Sequence, residues 1–464
     1  MPPCNRISHA NTSNYLVGSG ERRLSQVAYR ALLRRSGNNA RIPSNPIPEP
    51  EQECDSGIID ITDIATLSET ETNLSTYILN NNYTIAECKT LNIGGENRIS
   101  LNINSGQTLT NHGTINITHE SIISTYNINN NEGGTIINSG TITMINYGTI
   151  LNNNDSNIIE SVGGTIINSG TITMTNSSID NKNYRLGKAG GIIRNTGTID
   201  IEEGGNINNS GAVLEKQGGL IYNYSGGTIT INNLIENNNG SIYTYANGTI
   251  INNGTIINHG FDDDGIIGNE KGGKIYTYNN GIITNNGSIL NSYNGSLYIY
   301  NGGTIINNNT INNNSYGNIY CYTGGTITNY GLIESNTNSK IYNSGGTITN
   351  INSNININSN INNNDNSKIY NYNGGTINNT NSYIYNNNNS KIYNYKGGRI
   401  SNSGYINNND GNIYTYNGGI TINEGIIENE TGSISTAIGG TCGDGIFLGT
   451  LVVTGTINSN CPPE

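Results

Sequence analysis

Tyrosine is the residue type whose spacing points most clearly to chemistry in this chain. Many of its 30 tyrosines stand two residues apart: Tyr222/Tyr224, Tyr243/Tyr245, Tyr276/Tyr278, Tyr298/Tyr300, Tyr320/Tyr322, Tyr370/Tyr372, Tyr393/Tyr395 and Tyr414/Tyr416, with Tyr342 single. Residues two apart on an extended chain point to the same side. Such a strip can bind sugars through ring faces and hydroxyl groups, or pack against another copy. The alternative is that tyrosine suits solvent-facing strand positions and stacks with itself.

Acidic residues could hydrolyse a polysaccharide, a reaction that needs two carboxyl groups flanking one bond. In the repeated part of the chain they are sparse and form no recurring group: Glu202, Glu203, Glu236, Glu334 and Glu428. No basic partner lies near them in the sequence. We therefore expect a non-enzymatic protein without catalytic residues, and a polysaccharide-degrading spike is the enzymatic rival.

The histidines and cysteines of the sequence do not occur at the spacings that metal or cofactor sites use. The four histidines are isolated: His9, His112, His119 and His259. Cysteines form no CxxC pair, so we expect no metal site and no cofactor. Three consecutive carboxylates at 262–264 could ligate Ca²⁺, but such a run is more typical of a solvated loop tip.

The six cysteines are Cys4, Cys54, Cys88, Cys321, Cys442 and Cys461. Disulfides Cys54–Cys88 and Cys442–Cys461 could each staple one end of the repeated region. Free thiols in a reducing compartment are the alternative.

Composition and charge exclude several classes of protein. Only 33 % of the 464 residues are hydrophobic, too few for one large globular core. Residues 1–50 hold seven Arg against two Glu, so their net charge is +5, which leaves −17 for residues 51–464 of the total −12. An acidic body is a poor match for phosphate backbones, so we expect no nucleic-acid partner. No apolar run is long enough to span a membrane or to act as a secretory signal.

A repeat of 21–23 residues organises the chain. The Ile-Tyr-x-Tyr motif and its variants place their first tyrosine at 276, 298, 320, 342, 370, 393 and 414, in steps of 22, 22, 22, 28, 23 and 21. Each unit divides into three short strands separated by Gly- or Asn-rich corners. Three strands per unit predict a right-handed parallel β-helix, an all-β solenoid of about 17 coils; a left-handed coil is the alternative and fits the repeat length less well.

The alternation within a strand predicts the inside and the outside of the coil. In Leu297-Tyr298-Ile299-Tyr300 the two aliphatic residues share one face and the two tyrosines the other, so we expect Ile inside and Tyr outside. Asparagines at equivalent corners can stack their amides along the axis, each hydrogen-bonding the next coil.

Four regions are predicted: a basic head and Pro-rich linker at 1–50, an N-terminal cap at 51–90, the β-helix at 91–440 and a C-terminal cap at 441–464. A basic amphipathic helix in the head could anchor the rod to an acidic partner through Arg22, Arg23, Arg30, Arg34 and Arg35; a disordered tail is the alternative. Two longer steps predict insertions, a protruding acidic loop at 261–265 and an extra strand within 351–364.

The segment Leu101–Ile115, followed by repeated Gly-Thr-Ile-x-Asn, resembles the repeat-rich β-helix surface proteins of giant DNA viruses and, more distantly, haemagglutinin-like bacterial adhesins. The resemblance covers about residues 83–460. It implies a virion fibre or surface-layer component that contacts other virion proteins, a second copy or glycans. A glycan-binding adhesin on a cell surface is the alternative.

Overall fold

The structure is a computed structural model that describes residues 57–457, apart from gaps at 72–73, 95–98, 105, 119–127, 131–133, 146–148, 152–163, 176, 183–190, 204, 211–218, 225, 239, 260–271, 352–359, 417, 430, 432, 437–445, 450–451 and 454–455. In these ranges the chain forms short β-strands and one short helix, Ile61–Ile64. The strands follow one another around three sheets, which we name face A, face B and face C.

Each face collects every third strand of the chain. Face A contains Gly57–Ile59, Lys89–Gly94, Thr114–Thr118, Thr141–Ile145, Thr171–Thr175, Thr198–Ile201, Thr228–Ile231, Thr249–Asn252, Ile282–Asn285, Thr304–Asn307, Thr326–Asn329, Thr347–Ile351, Thr376–Thr380, Arg399–Asn402, Ile420–Asn423 and Ile446–Gly449. Face B contains Ala65–Glu71, Leu74–Leu79, Ile99–Ile103, Ile128–Asn130, Thr149–Leu151, Ser178–Lys182, Asn206–Ser210, Leu234–Asn238, Thr255–His259, Ser288–Ser292, Thr310–Asn313, Leu332–Ser335, Asn360–Asn363, Tyr383–Asn386, Tyr405–Asn408, Ile426–Asn429 and Val452–Val453. Face C contains Tyr83–Ile85, Thr108–Asn111, Thr135–Asn138, Thr165–Asn168, Ile192–Asn195, Leu220–Asn223, Ser241–Thr244, Lys274–Thr277, Ser296–Ile299, Asn318–Tyr322, Lys340–Ser344, Lys368–Tyr372, Lys391–Asn394, Asn412–Thr415, Ser433–Thr436 and Thr456–Ile457.

The predicted parallel β-solenoid is confirmed by the pairing of these strands. Neighbouring strands of a face belong to successive coils and run parallel; Thr304 pairs with Thr326 on face A, for example, and Thr310 with Leu332 on face B. Faces A and C each have 16 strands in the described residues, against the 17 coils expected. The handedness of the coil stays a prediction from the sequence.

The strand motif Thr-Ile-x-Asn explains why so polar a chain folds. In Thr304–Asn307, Ile305 and Asn307 point inward and are almost completely buried, whereas Thr304 and Ile306 are partly exposed. Faces B and C of the same coil contribute Ile311 and Ile319 to the interior. Burying one such side chain stabilises the fold by roughly 1.5–3 kcal/mol, and the gain recurs on every face of every coil.

Buried asparagines form amide ladders at the three corners, as the sequence predicted. Each side-chain amide donates from Nδ2 to Oδ1 of the asparagine one coil further on, at 2.6–2.9 Å. Face A ends in Asn252, Asn285, Asn307, Asn329, Asn350, Asn379, Asn402 and Asn423; face B in Asn181, Asn209, Asn237, Asn258, Asn291 and Asn313, then Asn363, Asn386, Asn408 and Asn429; face C in Asn111, Asn138, Asn168, Asn195 and Asn223, then Asn343, Asn371 and Asn394.

The direction of donation explains four of the buried acceptors that remain unpaired. Every ladder amide donates toward the C-terminus, so the first member of a ladder has no amide before it. The Oδ1 atoms of Asn111, Asn252, Asn343 and Asn363 are buried without a hydrogen-bond partner, and each of these residues begins a run of asparagines. The face C ladder is interrupted between Asn223 and Asn343, where Thr, Ile and Cys take the corner position.

Glycine pairs at the corners after face C have two separate causes. Gly302 has a φ of +76°, a left-handed conformation that costs glycine little. Gly303 has no such φ, but a Cβ there would lie 2.2 Å from the carbonyl oxygen of Thr277 in the preceding coil. The first glycine therefore turns the chain, and the second allows neighbouring coils to approach closely.

Irregular segments leave the stacking intact. At the N-terminal end, Ala65–Glu71 pairs antiparallel with Leu74–Leu79 and so begins face B as a hairpin.

Ser241 pairs directly with Lys274, so the residues beyond one regular coil lie in an insertion between faces B and C. The acidic loop 261–265 lies outside the described residues. Within the stretch 351–364, residues 360–363 form the regular face B strand Asn360–Asn363, and the extra strand expected there falls on residues 352–359, outside the described residues. The four-region division stays a prediction.

Replacing one ladder asparagine should destabilise the rod strongly. In Asn307→Ala, the Asn285 amide loses an acceptor and the Asn329 Oδ1 loses its donor. Each hydrogen bond lost by a buried group costs about 1–3 kcal/mol. Chemical denaturation followed by circular dichroism should show an earlier unfolding transition. The matched control is Asn308→Ala, which removes an exposed amide contact and should change the free energy of unfolding by less than about 0.5 kcal/mol. Equal effects of the two substitutions would contradict a stabilising role for the ladder.

Candidate tyrosine contact surface

A continuous row of stacked tyrosines runs along the outside of face C. We call it the inner row: Tyr222, Tyr243, Tyr276, Tyr298, Tyr320, Tyr342, Tyr370, Tyr393 and Tyr414. The parallel register aligns these positions, and neighbouring ring centroids are 4.7–5.2 Å apart with interplanar angles of 2–16°. The residues on either side in the strand, such as Leu297 and Ile299, are buried, so the rings stand on the solvent side.

Stacking determines which part of each ring a ligand can reach. Within the inner row the rings cover one another's faces, because each lies nearly parallel to the next at the spacing of the strands. Sugar binding through ring faces stays a prediction, and in the interior of this row the faces are covered by neighbouring rings. Ring edges and phenolic hydroxyl groups are what the row presents to a partner.

A second row of tyrosines lies beside the first, two residues further along each coil. This outer row consists of Tyr224, Tyr245, Tyr278, Tyr300, Tyr322, Tyr372, Tyr395 and Tyr416. Stacked pairs within it include Tyr300 with Tyr322 at 4.8 Å and Tyr395 with Tyr416 at 4.7 Å. Ser344 occupies the register position between Tyr322 and Tyr372 and interrupts the row. Tyr416, which stacks on Tyr395, is only 4 % exposed, whereas Tyr300, stacked in the same way on Tyr322, is 36 % exposed.

The crowding of the rings favours neutral phenols. Burial, followed by the neighbouring phenols Tyr300 and Tyr298, raises the pKa of Tyr322 to about 12. Burial, followed by Tyr395, raises the pKa of Tyr393 to about 12. Tyr322 and Tyr393 therefore keep their hydroxyl groups as hydrogen-bond donors at neutral and moderately alkaline pH.

A row of lysines flanks the inner row on three successive coils. Lys340, Lys368 and Lys391 begin consecutive face C strands and pair in register. Desolvation, followed by the charges of Lys391 and Lys340, lowers the pKa of Lys368. The prediction of contact residues from tyrosine spacing missed this row, although the repeated Lys-Ile-Tyr sequence was the signal for it.

Among the described residues of face B, the carboxylates Asp180, Glu236, Glu334 and Glu428 do not form the pair that glycoside hydrolysis requires. Glu236, Glu334 and Glu428 lie on face B, and four coils separate each from the next, or roughly 19 Å at the usual strand spacing. Asp180 and Glu236 are two coils apart, but Asn208 lies between them and donates to the Asp180 carboxylate at 2.7 Å. Asn208 thus occupies the space where a scissile bond would have to lie.

Several predicted residues lie outside the described residues: Arg22, Arg23, Arg30, Arg34, Arg35, Cys54, Cys442, Cys461 and Asp262–Asp264. Cys88 is disulfide-bonded, and the pairings Cys54–Cys88 and Cys442–Cys461 stay predictions. Cys321 is a buried free thiol at a face C corner, and burial raises its pKa to about 12. The described part of the chain contains no group of three or more potential metal ligands and no helix that is long and apolar enough to cross a membrane.

Comparison with known proteins places the chain in no family. No family model matches it, and no curated protein is significantly similar. Among solved structures, a TibC-catalysed, hyper-glycosylated fragment of TibA matches with 19 % identity and a TM-score of 0.37, covering 76 % of this chain and 100 % of that one. A similarity this low supports no argument about fold or function. The resemblance to giant-virus β-helix proteins stays a prediction.

We expect alkaline titration to disrupt the tyrosine surface only above the ordinary pKa of tyrosine. Because the folded rod raises the pKa of Tyr322 and Tyr393 from 10.0 to about 12, the stability that their neutral forms contribute is complete below pH 10 and is lost as the pH rises from 10 through about 12. Tyrosinate absorbance and the β-sheet circular dichroism signal should be followed together. Ionisation of all tyrosines near pH 10 with an unchanged sheet signal would contradict this expectation.

Proposed function

We propose that the chain is a non-enzymatic structural and adhesive surface protein: a stiff β-solenoid that contacts its partner through the tyrosine rows of face C. The observation that supports this most directly is the unbroken stack of nine tyrosines along one face. Long exposed aromatic stripes usually mark contact sites.

The stack is suited to contact because it is ordered before a partner arrives. Each ring inside the row is held between two others, so little side-chain entropy remains to be lost on binding. Its hydroxyl groups recur at the spacing of the coils, which suits a partner that is itself repetitive, such as a glycan chain. Packing against a second copy of the rod is the other use of the same surface.

The proposed setting is the virion surface, with a cell surface as the alternative. The support is the resemblance of the Gly-Thr-Ile-x-Asn repeats to giant-virus β-helix proteins. In this setting the arginine-rich head, including Arg22 and Arg35, would anchor the rod to an acidic layer of the particle. Mass spectrometry of purified particles, compared with surface-labelled cells, distinguishes the two locations.

Hydrolysis of polysaccharides is the rival function. It is disfavoured by the isolation of the face B carboxylates described above, since glycosidases hold their two carboxyl groups within about 10 Å on either side of the bond. A reducing-sugar release assay on the glycans that the protein binds tests this alternative directly.

Removing two neighbouring tyrosines should weaken adhesion without unfolding the rod. In Tyr298→Ser/Tyr300→Ser, two hydroxyl contacts and the ring edges of one coil are lost, and we expect affinity for particles or arrayed glycans to fall about tenfold. The matched control is Tyr383→Ser/Tyr385→Ser, which removes a stacked pair from face B. Unchanged binding by the face C variant, with an unchanged thermal midpoint, would refute contact through face C.

A further inference from the structure

Charge is distributed unequally over the three faces. The strands of face C contain five cationic residues and no Asp or Glu: Arg194, Lys274, Lys340, Lys368 and Lys391. The strands of face B contain one lysine and six acids: Glu69, Glu71, Asp180, Glu236, Glu334 and Glu428. The strands of face A contain two cations and one acid, Lys89, Arg399 and Asp200, so among the described strands the face with the tyrosine rows is the most positive, although the net charge of the whole chain is −12.

The three stacked lysines are a costly arrangement for the free protein. Like charges at directly opposite strand positions destabilise a sheet, and Lys340, Lys368 and Lys391 occupy such positions on consecutive strands. Asn318 and Asn412 stand at the same position on the coils before and after them, so the row is confined to three coils. An anionic partner would relieve the repulsion.

The same coils contain a depression among the tyrosines. It has a volume of about 340 Å³ and is lined by Tyr342, Tyr370, Tyr372, Asn373, Tyr395 and Lys396. That volume is at the lower end of the range for small-molecule sites. The depression lies next to Ser344, where the outer row lacks a tyrosine, and Lys396 adds a further cation at its edge.

We propose that the tyrosine surface between Lys340 and Lys396 binds an acidic glycan, with a sugar unit in the depression and carboxylate or sulfate groups on the lysine row. This inference rests on the proposed adhesive function and specifies its ligand. The lining suits the ligand because phenol hydroxyls and Asn373 can hydrogen-bond sugar hydroxyls, and because lysine ammonium groups attract anions at successive coils.

A glycan fits this surface better than a single-stranded nucleic acid. Proteins that bind single strands stack bases on free aromatic faces. In the inner row those faces are covered, since Tyr342 and Tyr370 stack at 4.9 Å. A sugar needs hydroxyl groups, ring edges and cations, which this surface provides.

The test uses the full chain with four probes: alginate as a carboxylated glycan, heparin as a sulfated one, dextran as a neutral one and a single-stranded oligonucleotide. The variant Lys340→Gln/Lys368→Gln/Lys391→Gln removes the lysine row. The control Lys89→Gln/Lys182→Gln/Arg399→Gln removes the same amount of charge from faces A and B. Thermal midpoints check the folding of both, and the lysine-row variant should be at least as stable as the parent because repulsion is removed.

We expect the parent to bind alginate or heparin and to bind them more weakly as salt screens the charges. The lysine-row variant should lose at least tenfold in affinity, and the control less than twofold. Binding of dextran as tight as that of the acidic glycans, retention of affinity by the lysine-row variant, or tighter binding of the oligonucleotide would each overturn the inference. Adhesion to particles that persists in the lysine-row variant but is lost in Tyr298→Ser/Tyr300→Ser would leave the proposed function standing while this inference fails.

Discussion

The hydrogen bond between one buried asparagine amide and the next is the interaction on which the rest of the structure depends. An amide inside a protein is costly unless it is paired, and in this solenoid each pairs with its equivalent one coil away at 2.6–2.9 Å. Remaining amide donors reach backbone carbonyls; Asn307, for example, also donates to the Leu332 carbonyl at 3.0 Å. A chain with only 33 % hydrophobic residues can therefore have an ordered interior, because many of the inward-facing side chains are polar and most of these are hydrogen-bonded.

The asparagine ladders also fix the register of the strands, and this register aligns the side chains on the outer surface. A one-residue slip of a strand would turn its asparagine outward and its tyrosine inward, so the pairing that satisfies Asn371 and Asn394 also aligns Tyr370 with Tyr393 and Lys368 with Lys391. The rows of identical side chains on the outside therefore follow from the hydrogen bonding of the asparagines on the inside. This coupling allows a short repeated sequence to build a long uniform surface.

Because the outer surface repeats from coil to coil, the positions that depart from the repeat are informative. Where Ser344 replaces a tyrosine of the outer row and lysines begin three successive strands, the repeated surface acquires a place that differs from the rest. The cations of face C and the acids of face B make two sides of the solenoid electrostatically different. Face C attracts anions and face B repels them. Under the proposed function, face C is the side of the solenoid that meets the anionic partner.

The sequence by itself determined the repeat of 21–23 residues, the parallel solenoid, the inward Ile and outward Tyr, and the stacking of corner asparagines, because each follows from a local rule of strand alternation or turn chemistry applied at a fixed period. It could not determine that Tyr416 is buried or that Ser344 lies beside a depression. Those features depend on side-chain rotamers and on which residues of different coils become neighbours, and such contacts join positions more than twenty residues apart. Only the tertiary structure shows that the lysine row, the depression and the tyrosines lie on one face, because it places residues from different coils side by side in the sheet.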